Sequence, residues 1–389
     1  MLSVPPKVSD FGFHVNTVSE QLHENRSEIL GRMFFDKVLT SQQRRLRRDL
    51  GRRYSRLRRQ ASFACPKCGG RCFIRKGRRW RVYTSMIGKT KLPIVQVQCR
   101  CCGARFCPYK DRIGLAFDQR ISSGLKDRQL SITCQVPYSR AQWCVHQCLG
   151  VSCSAATIRK HLDQAAEKIR QLRVGAAGKV VYQDSTKVKA GAKERGVPVH
   201  LAITAEPKGA VSGRNQIHKR LLFLQTGGGS AVKESLKSLG AEAIVHDGDM
   251  DLSGCAPKRQ RCLWHLPYQL QHFLWLDGVV WERRKLYIKE LTRVLYNSST
   301  AKKMENRYEQ FMKKLKGQSL KRSFIHLKRA QKELSTSRRY HFAYHTTSPA
   351  EREMREINRR ADIGVRWSIP GVENLLLVKT WYRLNQPEG

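Results

Sequence analysis

The chain has 389 residues, of which 74 are Lys or Arg and 31 are Asp or Glu, so its formal net charge is +43. A charge of this size repels itself unless a polyanion is bound, and it therefore predicts a nucleic-acid partner. The sequence has neither a signal-peptide core nor an apolar run of about 18 residues, which argues against a secreted or membrane-bound protein. We expect a soluble, cytoplasmic, nucleoid-associated protein in which the cysteines bind metal or stay as buried thiols.

Residues 1–60 form a predicted basic N-terminal segment. Between Arg44 and Arg59 the chain carries nine arginines and a single acid, Asp49, and its leucines keep a helical spacing. Because the guanidinium fork bonds two phosphate oxygens at once, such a helix suits a DNA backbone, although a charge run is more often a solvated surface. The residues assigned to DNA here are Arg44, Arg45, Arg47, Arg48, Arg52 and Arg53.

Residues 61–115 are predicted to form a zinc ribbon. Two Cys-x2-Cys pairs, Cys65/Cys68 and Cys99/Cys102, are each followed by glycine and are separated by strand-like sequence. Four thiolates satisfy tetrahedral zinc, so this spacing indicates a structural Zn²⁺ site. Further cysteines close by leave the fourth ligand open, namely Cys72, Cys101 and Cys107.

Residues 130–175 are predicted to form a helix-turn-helix. An apolar helical pattern over 138–148 is followed by Leu149-Gly150-Val151, and Ser152 or Ser154 can cap a second helix that continues through Ile169. The start of that second helix would enter a DNA groove. Ordinary helical hairpins share this pattern, and the residues assigned to DNA are Thr157, Arg159 and Lys160.

Three acids occur in contexts suited to holding a hard divalent cation. Asp184 is predicted to end a buried strand that begins at Val180, and Asp247 closes the apolar run 243–247 before a glycine. Glu351 opens a predicted helix with Ser348 as N-cap and Pro349 at its first position. Two strand-end aspartates and a helical glutamate can bind two Mg²⁺ (or Mn²⁺) ions for phosphodiester chemistry. Nearby acids remain competitors, namely Asp249, Asp251, Glu353 and Glu356.

The order of predicted elements after residue 179 is that of a ribonuclease H-like α/β core, although other α/β folds are compatible with it. Strands are predicted over 180–187, 197–204 and 220–225, a helix over 231–239, and a further strand over 243–247. In that core, acids from the first and fourth strands meet. Basic amphipathic helices are predicted between the second aspartate and the glutamate, over 281–295, 302–315 and 323–334.

Four ordered motifs in residues 179–389 resemble those of mutator-like DDE transposases of bacterial insertion sequences. They are 182–184 (Tyr-Gln-Asp), 246–248 (His-Asp-Gly), the Cys-x2-His pair within 262–266, and 346–351 (Thr-Thr-Ser-Pro-Ala-Glu). One departure is Ser348, where the family more often has asparagine. The resemblance implies a ribonuclease H-like DDE catalytic domain over 179–389, with an all-α insertion at about 266–345.

The resemblance also implies an activity. The catalytic residues would be Asp184, Asp247 and Glu351, which would bind Mg²⁺ or Mn²⁺ and cut element ends and then transfer the strand into target DNA, while Cys262 and His265 would support the site. We expect a homodimer or larger assembly on DNA, because two ends must be joined in one complex. The alternative hypothesis is a non-catalytic zinc-ribbon and helix-turn-helix DNA-binding protein derived from a transposase. A third is a ribonuclease H-like nuclease that cuts branched DNA or RNA–DNA hybrids.

Overall fold

The protein is a mixed α/β chain made of two compact units. The structure, a computed structural model, describes residues 40, 42–46, 63–86, 88–108, 120–172, 174–191, 196–211, 214–363 and 367–385. The first unit covers residues 1–161 and the second covers 162–389. None of the helices in these described ranges is long and apolar enough to cross a membrane.

The first unit contains a small antiparallel sheet in the order β1-β2-β3. Strands β1 (Phe73–Ser85) and β2 (Gly88–Cys99) form a long hairpin, and β3 (Arg105–Phe106) pairs with the end of β2. The buried side of β2 packs against three aromatic rings, Phe63, Phe73 and Phe106, whose centroids lie 4.7–6.0 Å apart. The two cysteine pairs lie at the end of the hairpin that holds these rings, and the hairpin strands separate one pair from the other in the sequence, as the spacing predicted.

Three helices follow in the chain: α1 (Ser123–Thr133), α2 (Tyr138–Leu149) and α3 (Ala155–Gln171). Helix α2 ends at Gly150, which adopts φ +65°, a left-handed conformation that glycine enters without steric cost. Ser154 accepts a hydrogen bond from Thr157 N (3.3 Å) and so caps α3. The predicted helix, glycine turn and Ser154 cap are therefore confirmed, and the division between the two units falls inside α3.

The second unit contains a five-stranded sheet in the order β6-β5-β4-β7-β8. Strands β4 (Val180–Val188), β5 (Val197–Val211) and β6 (Arg214–Thr226) are antiparallel, whereas β7 (Ala243–His246) and β8 (Lys258–Arg261) run parallel to β4. Helix α4 (Gly229–Ser238) connects β6 to β7 and packs Val232 and Leu236 into the core of the sheet.

The sequence predicted four of these five strands but misjudged their lengths. Strands β5 and β6 are longer than predicted because a register shift between Pro207 and Gly209 lets the pairing continue past the proline. Strand β8 was not predicted, since its sequence Lys-Arg-Gln-Arg is polar. Its Gln260 is fully buried, where its amide oxygen accepts from Ser337 N (2.7 Å) and its amide nitrogen donates to Leu334 O (3.0 Å).

A helical segment lies between β8 and the last two helices. It consists of α5 (His265–Leu276), α6 (Trp281–Tyr296), α7 (Ala301–Gly317), α8 (Lys321–Ala330), a 3₁₀ turn (Gln331–Glu333) and α9 (Thr336–Arg339). Leucines of α5 and aromatic and aliphatic side chains of α7 form its apolar core. The predicted helix over 323–334 is shorter, because α8 ends at Ala330 and the tighter turn follows.

Helices α10 (Ser348–Ala361) and α11 (Ile369–Leu384) complete the unit. Helix α10 packs on β4 and β5, and α11 packs on β6. The prediction of Ser348 as N-cap was wrong by one residue: the N-cap is Thr347, and Pro349 is the second helical residue. Thr347 makes no capping bond because its hydroxyl is used in another contact, described next.

Candidate functional site

The three predicted acids come from three different elements. Asp184 lies within β4, Asp247 directly follows β7, and Glu351 is in the first turn of α10. The prediction that Asp184 ends its strand was wrong, because β4 continues to Val188 by pairing with β5. Asp184 and Asp247 are 4% and 5% exposed, which is unusual for carboxylates and requires compensating contacts.

The parallel pairing of β4 with β7 places the two aspartates side by side. Tyr182 pairs with Val245, and Asp184 and Asp247 each lie two residues further along their strands. Side chains two residues apart on a strand share a face, so both carboxylates point the same way. Ser185 donates its hydroxyl to Asp247 Oδ2 at 3.5 Å, which connects the neighbouring strands at this level.

Electrostatics link Asp184 to the other two acids. Burial, followed by the negative charge of Asp247, raises the pKa of Asp184 to about 7, and the charge of Glu351 acts in the same direction. His265 and the hydrogen bond from Ser185 N (2.9 Å) oppose that rise. Asp184 is therefore repelled by both Asp247 and Glu351, and these three acids are here called the carboxylate cluster.

Glu351 is held in the cluster by Thr347, one helical turn before it. The Thr347 hydroxyl donates to Glu351 Oε1 (3.2 Å) and contacts Cys262 Sγ (3.5 Å) and His265 Nδ1 (3.3 Å). The Thr347 N–H also donates to Cys262 Sγ at 3.3 Å. The Thr347 side chain therefore does not cap α10 but contacts Cys262, His265 and Glu351 at once.

The Cys-x2-His pair connects the end of β8 with the start of α5. Cys262 lies in the turn after β8, and only His265 belongs to α5, so the two residues do not share a helical face. Burial would lower the pKa of His265, but Cys262, Asp184 and Asp247 outweigh it and raise the pKa to about 9. The imidazole is therefore protonated at neutral pH and offsets part of the carboxylate charge.

The competing acids of α10 point elsewhere. Glu353 is buried against Lys219 (2.8 Å) and Arg383 (3.1 Å). Glu356 contacts Arg359 (2.8 Å) and Arg383 (3.4 Å). Basic partners neutralise both carboxylates, so neither belongs to the carboxylate cluster. The acid that α10 contributes to the cluster is Glu351.

Of the competitors near Asp247, one lies at the cluster and one does not. Asp249 N donates to Asp247 Oδ1 (3.0 Å), and burial followed by the charge of Asp247 raises the pKa of Asp249. Asp251 is exposed, and hydrogen bonds from Ser253 lower its pKa to about 2. Asp249 therefore borders the cluster as a supplementary acid, and Asp251 is a solvated turn residue.

Arg261 is a site residue that sequence reasoning missed. It is 8% exposed at the end of β8, and its Nη2 donates to Gln269 Oε1 at 3.3 Å. Gln269 in turn donates to Asp247 O and to Asp249 Oδ1, both at 3.2 Å. No sequence signal marked Arg261 among 74 basic residues, because its importance comes from the pairing of β8 beside β7.

The ligand chemistry of the carboxylate cluster suits a hard divalent cation. Carboxylate oxygens are the ligands that Mg²⁺ and Mn²⁺ prefer, and repulsion between nearby carboxylates is relieved when positive charge binds beside them. Donor atoms of Cys262, His265 and Glu351 also lie within 4.8 Å of one another, a mixed set suited to a softer ion. Glu351 belongs to both groups.

A second candidate metal centre lies in the first unit. The sulfurs of Cys65, Cys68, Cys99 and Cys102 all lie within 4.8 Å of one another. The Cys65–Cys102 and Cys68–Cys99 separations are both 3.6 Å, close to the roughly 3.8 Å edge of a tetrahedral Zn–S₄ site. This cluster could hold a structural Zn²⁺, and it settles the fourth ligand in favour of Cys102.

The two cysteine turns have the same backbone design. Gly69 N donates to Cys65 O (2.9 Å), and Gly103 N donates to Cys99 O (3.0 Å). Both glycines adopt positive φ, +68° and +70°, which lets the chain fold back over the sulfurs. The N–H of Cys102 is the main reason that the pKa of Cys99 falls to about 6, so this thiol is readily deprotonated for metal binding.

The predicted DNA-binding residues are only partly described. Arg159 and Lys160 are exposed at the start of α3, and the Thr157 hydroxyl contacts Ser154 Oγ at 2.9 Å. Arg44 and Arg45 lie in a helical stretch at 42–46. The remaining predicted arginines lie outside the described residues, namely Arg47, Arg48, Arg52 and Arg53.

Comparison of the chain with models of known protein families and with curated proteins gives no match in either case. The functional inference consequently depends on the residues of this chain, above all on Asp184, Asp247 and Glu351.

Proposed function

We propose that the protein is a DNA transposase of the mutator-like DDE type, which cuts the ends of an insertion sequence and joins them to target DNA. The observation that carries this proposal is the repulsion that Asp184 experiences from Asp247 and Glu351, which are separated by 63 and 104 positions in the sequence. Acids so far apart interact only through tertiary folding, and bound cations would relieve their repulsion.

The strand order supports a ribonuclease H-like core. Three antiparallel strands are followed by two parallel ones, with the first strand of the series, β4, at the centre of the sheet. Asp184 on the first strand and Asp247 after the fourth are the positions expected of such a core. The helices α5–α9 between Asp247 and Glu351 correspond to the expected all-α insertion.

The first unit supports DNA as the substrate. Its Cys₄ cluster fits a zinc ribbon, and α2 and α3 fit a helix-turn-helix with Arg159 and Lys160 exposed at the start of the second helix. The overall charge of +43 would favour phosphate contacts and strong salt dependence. Two copies would hold the two element ends in one complex.

The residues of the site have separable roles in this proposal. Asp184, Asp247 and Glu351 would hold two Mg²⁺ or Mn²⁺ ions, which when bound activate a hydroxyl nucleophile and stabilise the leaving oxygen. Thr347 fixes the Glu351 carboxylate, and Gln269 fixes the turn at Asp247. Protonated His265 stabilises the ionised acids before cations arrive.

The proposal is tested by nicking of DNA that carries the terminal sequences of its own element, with Mg²⁺ or with chelator. We expect Mg²⁺-dependent nicking that leaves a 3′-hydroxyl, followed by joining of that end to a second DNA. Asp184→Asn should bind the ends as the unaltered chain does but lower nicking by at least about a thousandfold, since a cation ligand is lost. The matched control is Asp251→Asn, an exposed aspartate near the site, which should nick normally.

Each alternative has its own signature. Binding of the ends without any Mg²⁺-dependent nicking would favour a non-catalytic DNA-binding protein. Nicking governed by branched structure rather than by terminal sequence would favour a ribonuclease H-like nuclease. Normal nicking by Asp184→Asn would overturn the site itself.

A further inference from the structure

Helix α5 carries aromatic side chains on the face that is turned to solvent. Trp264, Tyr268, His272 and Trp275 are exposed and recur every three or four residues, so they form one stripe, here called the aromatic ladder. The opposite face buries Leu266, Leu270 and Leu274 completely. Leucines account for the packing of α5, and the exposed rings therefore have no part in its apolar core.

The rings of the ladder contact one another in two pairs. Trp264 and Tyr268 are stacked, with centroids 5.9 Å apart and planes only 9° apart. His272 and Trp275 have centroids 5.7 Å apart. The exposed fractions of Trp264, Tyr268 and Trp275 are 52%, 66% and 57%, so large apolar areas face water at a considerable free-energy cost.

One end of the ladder is at the carboxylate cluster. The ring of Trp264 contacts the ring of His265 edge to face, with centroids 4.9 Å apart. His265 Nδ1 lies 3.9 Å from Glu351 Oε1. A molecule lying along the ladder would therefore have one end at the candidate catalytic acids.

Basic side chains lie near the C-terminal end of α5. Arg322 is exposed and donates to the carbonyl of Leu276, the last residue of α5. On α6, which packs against α5, Arg284 and Lys285 lie 5.1 Å and 5.0 Å from the Trp281 ring centroid. Residues 264–276 include no acid, whereas Asp277 follows directly and accepts from Arg322 N (3.0 Å) and Ser323 N (2.8 Å), and Glu282 is in the first turn of α6. A row of rings with basic side chains near its end complements a chain of bases joined by phosphates.

The geometry points to the aromatic ladder as a binding surface for an unpaired DNA strand, whose bases stack on the rings of α5 while its phosphates contact Arg322, Arg284 and Lys285. Bases in a duplex stack on each other and present only their edges, so outward-facing rings suit bases that have left the duplex. The helix is about 18 Å long, enough for a few nucleotides. This inference rests on the proposed function, because the strand it describes is the frayed end delivered to Asp184, Asp247 and Glu351.

The surface is tested by binding of the full chain to a fluorescent oligothymidylate of about 12 nucleotides, in chelator so that no cutting occurs. The probe is compared with an abasic oligonucleotide that has the same number of phosphates. The variant Tyr268→Leu/Trp275→Leu keeps apolar side chains but removes two rings. The matched control is Tyr340→Leu, an exposed aromatic residue outside the ladder whose ring contacts Lys258 (4.2 Å).

We expect the double variant to bind the oligothymidylate at least about tenfold more weakly, since each base–ring stack contributes on the order of a tenfold change in affinity. Its affinity for the abasic strand should be unchanged, and Tyr340→Leu should behave as the unaltered chain with both probes. A 2-aminopurine base placed in the strand should lose its stacking-dependent quenching in the double variant. The loss should persist at high salt, because stacking releases no counterions.

Three results would overturn the inference. One is unchanged binding by the double variant, and another is an equal loss for the abasic strand. The third is a difference in oligomeric state between the double variant and the unaltered chain, measured by sedimentation without DNA. The ladder would then be a protein interface. Because the assay contains no divalent cation, failure here leaves the nicking test of Asp184 intact, and failure of nicking leaves this binding result intact.

Discussion

Arg261 occupies the space that a β-carbon on Gly248 would fill. An atom added at that position would overlap the Arg261 guanidinium, and Gly248 also has φ +84°. The glycine after Asp247 therefore does two things: it permits the tight turn and it leaves room for a buried cation beside Asp247. Burial lowers the pKa of this guanidinium, while Asp247, Glu333 and Asp249 favour its charged form.

We expect Gly248→Ala to destabilise the protein more than Gly254→Ala does. Both glycines have positive φ, which costs a non-glycine residue on the order of 1–3 kcal/mol, but only at Gly248 does the new methyl group overlap another side chain. Gly254 has no atom within 4 Å of its β-carbon position. Free energies of unfolding from denaturant titration check this. Equal losses would mean that Arg261 moves aside at little cost.

Removing one acid from the carboxylate cluster should stabilise the metal-free protein. Because the pKa of Asp184 is about 7, this carboxylate is charged only above that pH, where Asp247 and Glu351 repel it. Asp184→Asn removes the charge, so above pH 7 in chelator the melting temperature should rise by on the order of 2–4 °C for each kcal/mol of repulsion relieved. Mg²⁺ or Mn²⁺ should raise the melting temperature of the unaltered chain and raise that of the variant less. Asp251→Asn is the control, and an identical response from it would argue against a cation site at Asp184.

The Cys₄ cluster should account for tightly bound zinc. We expect elemental analysis to find about one zinc ion per chain held by these thiolates. Cys68→Ser should lose that ion and unfold the cysteine turns, because one of four ligands is gone. Cys101→Ser, which changes an exposed cysteine of the other cysteine turn that is outside the cluster, should keep it. Zinc loss in Cys101→Ser with retention in Cys68→Ser would reverse the ligand assignment.

His326 should make the protein less stable in mild acid. It is 8% exposed and stacks on Phe273 (4.2 Å between centroids), and burial followed by the charges of Arg261 and Arg329 lowers its pKa to about 4. The unfolded chain takes up this proton near pH 6.5 and the folded chain only near pH 4, so stability is complete above pH 6.5 and is lost as pH falls through that window.

The size of this effect can be measured against a variant that does not titrate. Between pH 7 and pH 5, His326 should cost the folded state about 2 kcal/mol, from the ratio of proton binding in the two states. His326→Phe keeps a ring against Phe273 and should remove this part of the pH dependence. Because all other groups titrate in both proteins, the difference between their unfolding curves isolates His326, and parallel curves would refute the assignment.

Local sequence pattern was sufficient for much of the architecture. Apolar runs located β4 and β7, helical spacing located α2, α3 and the helices α6 and α7, and cysteine spacing located the Cys₄ cluster. These features are local because an apolar run, helix periodicity and a chelating pair each depend on residues a few positions apart. Asp184 and Asp247 were predicted as site residues in the same way, from apolar runs, and Glu351 was predicted from the start of a helix.

Which side chains meet was decided by packing between distant segments. The polar strand β8 has no local signature, yet pairing beside β7 buries Arg261 next to Asp247. Thr347 looked like part of a helix cap, but docking of α10 against β4 directs its hydroxyl to Cys262, His265 and Glu351. The choice of Glu351 over Glu353 likewise depends on which face of α10 meets Lys219 and Arg383. The Cys262–Thr347 and Lys219–Glu353 contacts join residues 85 and 134 positions apart, and no pattern in a short window contains them.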